Sequence, residues 1–257
     1  MCQPHSQYPP RANSSATFLV NPPALPVIHQ QYWALKNYEH LLLDAQEQAL
    51  CFVMKANAIN ITEMSAVLSK EELQRMQKFH FGRDQQQYAA AHWLKRTAVG
   101  TLTGQAPHTL DFSISRYGKP RLRTHWLSFN LSHSSGFVAL LLSRYCNVGV
   151  DIEFPRPGMD FNLALSFVAH PNEYGKTSSA ADFYRLWTLK EAVCKASGKG
   201  LSLALQTLEL CPCDIGSFVV RCDGQQWLAL SRLLSEGGYL GCAFGGTPDD
   251  LSIVQLS

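Results

Sequence analysis

The chain has 257 residues, of which 46% are hydrophobic and 16% are charged, a balance that provides a sizeable core and excludes disorder over most of the length. Its 22 basic and 20 acidic residues leave a net charge of +2, which argues against nucleic-acid binding because such domains are strongly basic. The sequence contains neither an apolar run of about 18 residues nor a secretory signal, so it predicts a cytoplasmic protein without a membrane span.

The eight cysteines are scattered and include one CxC pair but no CxxC pair. Structural zinc sites usually draw their ligands from closely spaced pairs, so this distribution gives poor support to a zinc site. We therefore predict reduced, mostly structural thiols, as is common in cytosolic proteins.

The N-terminal third of the chain predicts an arm followed by two helices. Six of the thirteen prolines lie in the first 26 residues, and this density predicts an irregular or extended arm over residues 1–30. Ser69 and Glu72 have the spacing of a capping box and predict the start of a helix. Asp84 is the predicted cap of a second helix, which ends near Leu102.

The remaining pattern predicts strands, then helices, then strands again. After Gly104, short apolar or alternating runs predict strands at 111–115, 127–131, 137–142 and 148–153. Two helices follow, one at 161–168 that ends before Pro171 and one at 182–197 that ends at Gly198. The tail predicts strands at 205–210, 218–222, 227–230, 239–244 and 253–256.

This order of elements predicts an α+β protein made of two similar lobes, because helices precede strands in each half. The divide falls near residue 145. We predict an N-terminal lobe at 31–145 and a C-terminal lobe at 146–257. No linker-like composition marks the divide, so the lobes are expected to form one compact unit.

Two segments of the C-terminal half carry candidate site residues. On the predicted strand that ends in VGVDIE, Asp151 and Glu153 point to the same side, because side chains alternate with period two. In the predicted helix WTLKEAVCKAS, Trp187, Glu191 and Lys195 share one face, and Lys190 lies about 100° from Glu191.

These acids and lysines together favour a magnesium site that binds a phosphate group. Magnesium prefers oxygen ligands and often joins a pair of carboxylates to substrate phosphates, while lysines neutralise the remaining charge. A solvated Glu–Lys pair is the simpler interpretation of the helix alone. Two carboxylates on one strand also suit a glycosidase, but that enzyme has no need of clustered cations.

Two further segments suit the binding of phosphate or a nucleotide. Ser132 and His133 in FNLSHSSG are adjacent on a predicted strand, so they point to opposite faces and do not form a serine-hydrolase pair. Their hydroxyl and imidazole groups are better suited to hydrogen bonds with a phosphate, or they form a plain strand-end turn. RYGKPRLR at 116–123 contains four basic residues around a turn, which is either a solvated turn or part of a nucleotide site.

Four fragments in this order closely resemble the surfactin-synthetase-type 4′-phosphopantetheinyl transferases. They are YGKP at 117–120, FNLSHS at 129–134, GVDIE at 149–153 and WTLKEAVCKASGKGLSL at 187–203. The resemblance covers roughly residues 69–211. It implies two pseudo-symmetric α/β lobes in a monomer, with coenzyme A and Mg²⁺ in the cleft between them.

The resemblance also implies a reaction. The enzyme would transfer 4′-phosphopantetheine from coenzyme A to a serine hydroxyl of an apo carrier protein of the acyl, polyketide or peptidyl kind. Adenosine 3′,5′-bisphosphate would be released. Two alternatives use the same residues: a Mg²⁺-dependent nucleotide pyrophosphatase acting on coenzyme A, and a non-catalytic module that binds coenzyme A or a carrier protein.

Residue roles follow from the matched motifs. The resemblance implies that Asp151, Glu153 and Glu191 hold Mg²⁺, and that Glu191 also deprotonates the serine directly or through water. Lys195 would neutralise the diphosphate. The residues expected to border coenzyme A are Lys119, Pro120, Ser132, His133, Lys190 and Lys195.

The sequence departs from the family at two places. The basic residues that the family often has on its first helix align only loosely with Arg75 and Lys78, and an acid, Glu72, lies where a base is expected. The proline-rich arm has no recognised counterpart.

Overall fold

The computed structural model describes residue 25 and residues 27–33, 48–124, 127–222 and 224–256. Among these are the strands β1 (Val27–Trp33), β2 (Gln48–Lys55), β3 (Phe112–Ile114), β4 (Pro120–Leu122), β5 (Ser128–Ser134), β6 (Phe137–Ser143), β7 (Val148–Glu153), β8 (Glu209–Asp214), β9 (Ser217–Cys222), β10 (Gln225–Leu233), β11 (Tyr239–Phe244) and β12 (Asp250–Leu256). The α-helices are α1 (Ile61–Ser65), α2 (Lys70–Met76), α3 (Gly82–Thr103), α4 (Phe161–Leu165) and α5 (Ala180–Ser197). Short 3₁₀-helices lie at Pro107–Thr109, Pro171–Lys176, Gly200–Ser202 and Leu205–Thr207.

Most of these strands form two five-stranded sheets. The first sheet has the order β1-β12-β2-β6-β5 and the second has the order β7-β11-β10-β9-β8, while β3 and β4 form a separate hairpin. β12, from the end of the chain, pairs in parallel with both β1 and β2 of the first sheet. The predicted α+β class is confirmed, and the predicted lobe boundary near residue 145 stays a prediction.

The two sheets pack face to face, with a long helix on the outer side of each. One core cluster joins Cys51 and Leu141 of the first sheet to Val150 and Leu230 of the second. A second cluster lies between α3 and the outer face of the first sheet, and a third between α5 and the second sheet. No helix within the described residues is both long enough and apolar enough to cross a membrane.

Helix α5 approaches the second sheet closely because two glycines leave room for its backbone. A Cβ atom built on Gly149 of β7 would lie 2.0 Å from the carbonyl oxygen of Ala192, and one on Gly241 of β11 would lie 2.4 Å from that of Thr188. Such distances are far inside van der Waals contact. The glycine of the GVDIE motif therefore allows α5 to lie directly beside the strand that carries Asp151.

Strand β5 contacts β7 through polar side chains. The Oγ of Ser128, the Oδ1 of Asn130 and the Oγ of Ser132 accept hydrogen bonds from the backbone amides of β7. Their partners are Val148 at 3.0 Å, Val150 at 2.9 Å and Ile152 at 3.3 Å. Because the three acceptors recur at every second residue, one face of β5 satisfies the exposed amides of the neighbouring sheet edge.

Several predicted elements are confirmed and others need correction. The Ser69 and Glu72 capping box is present, and α5 ends at Gly198 with a left-handed φ of 72°. Asp84, however, lies in the first turn of α3, whose N-cap is Phe81.

Two predicted boundaries also change. The strand predicted at 205–210 begins only at Glu209, after a 3₁₀-helix. Residues 27–30 of the predicted irregular arm belong to β1, and the rest of the arm, apart from Leu25, lies outside the described residues.

We expect Asn130→Ala to lower the free energy of unfolding by about 1–3 kcal/mol, because it leaves the buried Val150 amide without an acceptor. Chemical denaturation measures this loss. The matched control is Asn57→Ala, which changes an exposed asparagine and should alter stability by less than about 0.5 kcal/mol. Equal stability of the two variants would contradict a structural role for the β5 side chains.

Candidate functional site

The candidate site lies where β5, β7 and α5 meet. Asp151 on β7 is 4% exposed, and its Oδ1 accepts hydrogen bonds from Ser132 Oγ at 2.8 Å and Lys195 Nζ at 2.6 Å. Lys195 also donates to Ser132 Oγ at 3.0 Å. The three side chains therefore join the two sheets and the helix through one carboxylate oxygen.

The other oxygen of this carboxylate, Oδ2, is buried and has no hydrogen-bond partner among the residues that the structure describes. A buried anionic oxygen without a partner is costly, and such atoms mark sites that bind an ion or a water molecule. Asp151 therefore presents one oxygen to the protein and one free oxygen to a ligand.

Glu153 lies two residues further along β7, on the same side as Asp151. Its Oε2 accepts a hydrogen bond from Ser134 at 2.8 Å, and Arg156 lies 3.8 Å from the same oxygen. Burial raises the pKa of Glu153, and the charge of Asp151 adds to the rise, while Ser134 and Arg156 oppose it. The environment therefore disfavours a second negative charge here.

Glu191 faces these two acids from α5. Burial raises its pKa, and the charges of Asp151 and Glu153 raise it further, while Lys195 opposes the rise. Three carboxylates thus repel one another, with a single lysine close by. Such a cluster gains stability from any cation that binds it.

The donors suit a hard divalent cation, since all three acids offer oxygen and Asp151 Oδ2 is free. As arranged, no three His, Cys, Asp or Glu side chains in the described ranges are close enough together to hold a metal ion. Binding Mg²⁺ therefore requires the Glu153 or Glu191 side chain to turn towards Asp151.

The structure separates Ser132 from His133. Ser132 points towards β7, where its hydroxyl bonds Asp151, Lys195 and the Ile152 amide. His133 points to the opposite face of β5 and is exposed. The two side chains do not converge on one phosphate.

Lys119 and Pro120 line a cavity of about 220 Å³, together with Tyr117, Gly118, Asn130, Leu131, Lys195, Gly198 and Gly200. This volume is below the roughly 300–1,000 Å³ of a typical ligand pocket, so it suits one part of a large ligand. The cavity opens between the β3–β4 hairpin and the end of α5. It shares Lys195 with the carboxylate cluster.

Lys190 needs a correction, because it does not face this site. Its ammonium is fully buried and donates to the carbonyls of Val168 and Leu205 and to Glu173 Oε2, at 2.8, 3.1 and 2.6 Å. An ammonium has three hydrogens, and all three are used. Lys190 therefore anchors α5 to the 3₁₀-helix at Pro171–Lys176 and has no donor left for a cofactor.

Trp187, on the same helix face as Glu191, is partly buried against the core of the C-terminal half, with its ring 5.7 Å from that of Phe183. Trp187 therefore has a packing role.

Glu72, the acid on α2 that lies where the family has a base, is held by side chains of α3. Glu72 accepts hydrogen bonds from Lys95 and Arg96 and lies 2.8 Å from His92 Nδ1. Although burial acts to raise the pKa of Glu72, the hydrogen bond with His92 and the charges of Lys95 and Arg96 hold it well below its usual range. Arg75 and Lys78, by contrast, are exposed. The bases near this acid therefore come from α3 rather than from α2.

Sequence reasoning missed the roles of Asn130 and Ser134. The available signal was the alternation of Ser128, Asn130, Ser132 and Ser134 in SFNLSHS, which indicates one polar face of a strand. That pattern does not say whether the face meets water, phosphate or a second strand.

Comparison with known proteins places both halves of the chain in one family. Residues 55–144 match the model described as "4'-phosphopantetheinyl transferase, N-terminal", and residues 147–242 match "4'-phosphopantetheinyl transferase superfamily".

Individual relatives agree with these matches. The chain is 31% identical over 160 residues to 4'-phosphopantetheinyl transferase HetI of Nostoc, covering 58% of this chain and 67% of the relative. It is 30% identical over 154 residues to a 4'-phosphopantetheinyl transferase of Bacillus subtilis, covering 57% and 67%. Identity to 4'-phosphopantetheinyl transferase AcpT of Escherichia coli K12 is 31% over 157 residues, covering 49% and 80%. The chain therefore belongs to the 4′-phosphopantetheinyl transferase superfamily and is an enzyme that transfers phosphopantetheine to carrier proteins.

Proposed function

We propose that the enzyme is of the surfactin-synthetase-activating type, takes 4′-phosphopantetheine from coenzyme A with the help of Mg²⁺, and releases adenosine 3′,5′-bisphosphate. The observation that carries this proposal is the free, buried Oδ2 of Asp151 beside two acids whose pKa values are raised. A cluster of this kind suits a cation bound together with an anionic diphosphate.

Asp151, Glu153 and Glu191 would hold the cation. When bound, Mg²⁺ would neutralise charge on the diphosphate oxygens as phosphorus is attacked. The protein's own contribution is to keep the three acids apart from bulk water and close to one another. Their mutual repulsion supports this role, because a site of this charge favours the metal over the empty state.

Glu191 is proposed to take the proton from the acceptor serine, directly or through water. A general base works best when its pKa approaches the working pH. Burial and the two neighbouring acids move the pKa of Glu191 in that direction. Glu191 would therefore both take this proton and, with the two strand acids, hold the metal.

Lys195 is proposed to neutralise the diphosphate. Its side chain is 27% exposed, in contrast to 6% for Asp151, so it reaches from the buried acid towards the cavity. A bound diphosphate would share this ammonium with Asp151. Phosphoryl-type transfer depends mainly on such positioning and charge neutralisation.

The remaining elements of the proposal concern the partners. The acceptor is a serine of an apo acyl, polyketide or peptidyl carrier protein. We propose a monomer in the cytoplasm with an N-terminal lobe at 31–145 and a C-terminal lobe at 146–257, because strands of both halves and α5 of the same chain form the cleft. Pro120 and the adjacent hairpin would border the adenine, and Ser132 would act through Asp151 and Lys195.

The direct test incubates the enzyme with coenzyme A, Mg²⁺ and a panel of apo carrier domains, and then measures carrier mass. We expect a gain of one phosphopantetheine group, and its loss in Asp151→Ala and Glu191→Ala. The control variant Asp249→Asn, which changes an exposed acid, should retain the wild-type rate.

Three results would contradict the proposal. One is no mass gain with any carrier. Another is full activity in either site variant. The third is breakdown of coenzyme A at the same rate without a carrier, which would indicate a pyrophosphatase.

Glu191→Gln should raise the melting temperature at pH 7.5 by roughly a few degrees. Because the pKa of Glu191 is raised in the folded state, its charge costs stability above that pKa, and the cost disappears below the unfolded value of about 4.3. The gain should therefore shrink as the pH falls towards 4. Thermal melts of both proteins without metal measure it, and a Glu191→Gln protein that is less stable at pH 7.5 would contradict the repulsion.

The two motif lysines should behave differently on substitution. Lys190→Met leaves Glu173 buried without its cation and should cost about 3–5 kcal/mol of stability, while the remaining folded protein stays active. Adding Glu173→Gln should recover part of that loss, since it removes the unpaired charge. Lys195→Met should instead abolish transfer in protein that is still folded. Denaturation curves and rates per folded molecule measure both, and loss of activity in folded Lys190→Met would contradict its structural role.

A further inference from the structure

Lys119 is a cation in the wall of the cavity whose ammonium is already bound to the protein. Its Nζ donates to the carbonyl oxygen of Val148 at 2.7 Å and to that of Ala196 at 3.1 Å. Neither partner is an acid. Two of the three ammonium hydrogens are therefore used to hold backbone carbonyls of the protein.

The Lys119 backbone is held in place before its side chain leaves the hairpin. Its amide donates to Ser115 Oγ at 3.0 Å, and its carbonyl accepts from the Ser115 amide at 2.9 Å. The turn passes through Gly118, whose φ of 85° suits glycine. The β3–β4 hairpin therefore presents Lys119 from a fixed position.

The Ala196 carbonyl lies in the last turn of α5, where backbone oxygens have no partner within the helix. A lysine at this end is favoured because the helix dipole places negative charge there. Ala196 directly follows Lys195, which bonds Asp151. Lys119 thus fixes the end of the helix next to the catalytic cluster.

The same contact joins two walls of the cavity. Tyr117 and Pro120 line one side from the hairpin, while Gly198 and Gly200 line the other side after α5. The Cδ of Lys119 passes 3.8 Å from the place where a Cβ on Gly198 would lie. Among the described residues, no side chain other than that of Lys119 forms a hydrogen bond between this hairpin and α5.

We propose that Lys119 is a positioning residue: its ammonium ties the β3–β4 hairpin to the end of α5, and so aligns the coenzyme A pocket with Lys195. The inference rests on the proposed use of coenzyme A. It assigns Lys119 an action through Val148 and Ala196 rather than through direct contact with the coenzyme.

The ionisation of Lys119 allows a second test of this role, by changing the pH. Burial, and to a smaller extent Arg121 on the same hairpin, lower the pKa of Lys119 to about 8, while the Cys146 thiol opposes the shift. Lys195, from α5, lines the same cavity. Above pH 8 the neutral amine makes weaker bonds to the carbonyls, since charge-assisted hydrogen bonds are the stronger kind.

The test compares Lys119→Met and Lys119→Arg with the control Arg221→Gln, which removes an exposed cation on β9, outside the lining of the cavity. We expect Lys119→Met to raise the KM for coenzyme A about ten-fold, consistent with losing a charged hydrogen bond. The KM for the carrier should stay within about two-fold of the wild-type value. The wild-type KM for coenzyme A should rise between pH 7.5 and 9. Arg221→Gln should keep this rise, and Lys119→Arg should lose it because a guanidinium stays charged.

Hydrogen exchange without coenzyme A separates bracing from direct contact. We expect faster exchange at residues 194–200 in Lys119→Met than in Arg221→Gln, because the end of α5 loses its tether. A wild-type KM in Lys119→Met, or a raised KM with unchanged exchange, would overturn the proposal. Absence of transfer by the wild-type enzyme would instead refute the proposed reaction, and the exchange experiment would still decide whether Lys119 braces the helix.

Discussion

β5 and β7 are edge strands of different sheets, and they are joined by side chains instead of a backbone ladder. Ser128, Asn130 and Ser132 accept the backbone amides of β7. An edge strand inside a protein must satisfy its amides or lose stability. Because the acceptors belong to side chains, the two sheets can pack face to face while their edges remain in register. The candidate active site lies at this junction.

The contacts between side chains of β5 and the strand β7 continue into the candidate site. Beyond the amide acceptors, Ser132 and Ser134 reach the carboxylates of Asp151 and Glu153. Gly149 and Gly241 then allow α5 to approach closely, which brings Glu191 and Lys195 to the two strand acids. Packing thus removes water from three acids at once, and the raised pKa values of Glu153 and Glu191 follow from this position. The repulsion among these acids lowers the stability of the fold and would be relieved by a bound cation. Functional sites often lower stability in this way.

The elements around the candidate site are predicted from their apolar runs and from the turn and cap residues that mark their ends. β11 was predicted with its observed limits of Tyr239 and Phe244, and α5 differs from its prediction only at the first turn. β2 is also buried on both faces, since Phe52 packs beneath α3 and Cys51 packs between the sheets, but unlike β11 it has no flanking glycines to mark its ends. A continuous apolar run has no period to detect. The prediction that Lys190 borders coenzyme A needs correction for a different reason. Helical spacing gives the angle between Lys190 and Glu191, but it does not give the position of Glu173, the buried partner of Lys190.

The central claim is that Asp151, Glu153 and Glu191 close around one divalent cation, which takes the free Oδ2 of Asp151 as a ligand. A crystal grown with coenzyme A and Mn²⁺, recorded at a wavelength that detects manganese, tests it directly. The account predicts one anomalous peak about 2.0–2.6 Å from Asp151 Oδ2, as expected for a hard cation bound to oxygen. It also predicts that Glu153 or Glu191 turns towards that peak. A bound coenzyme A with no peak at Asp151, or with manganese held by other residues, would contradict the account.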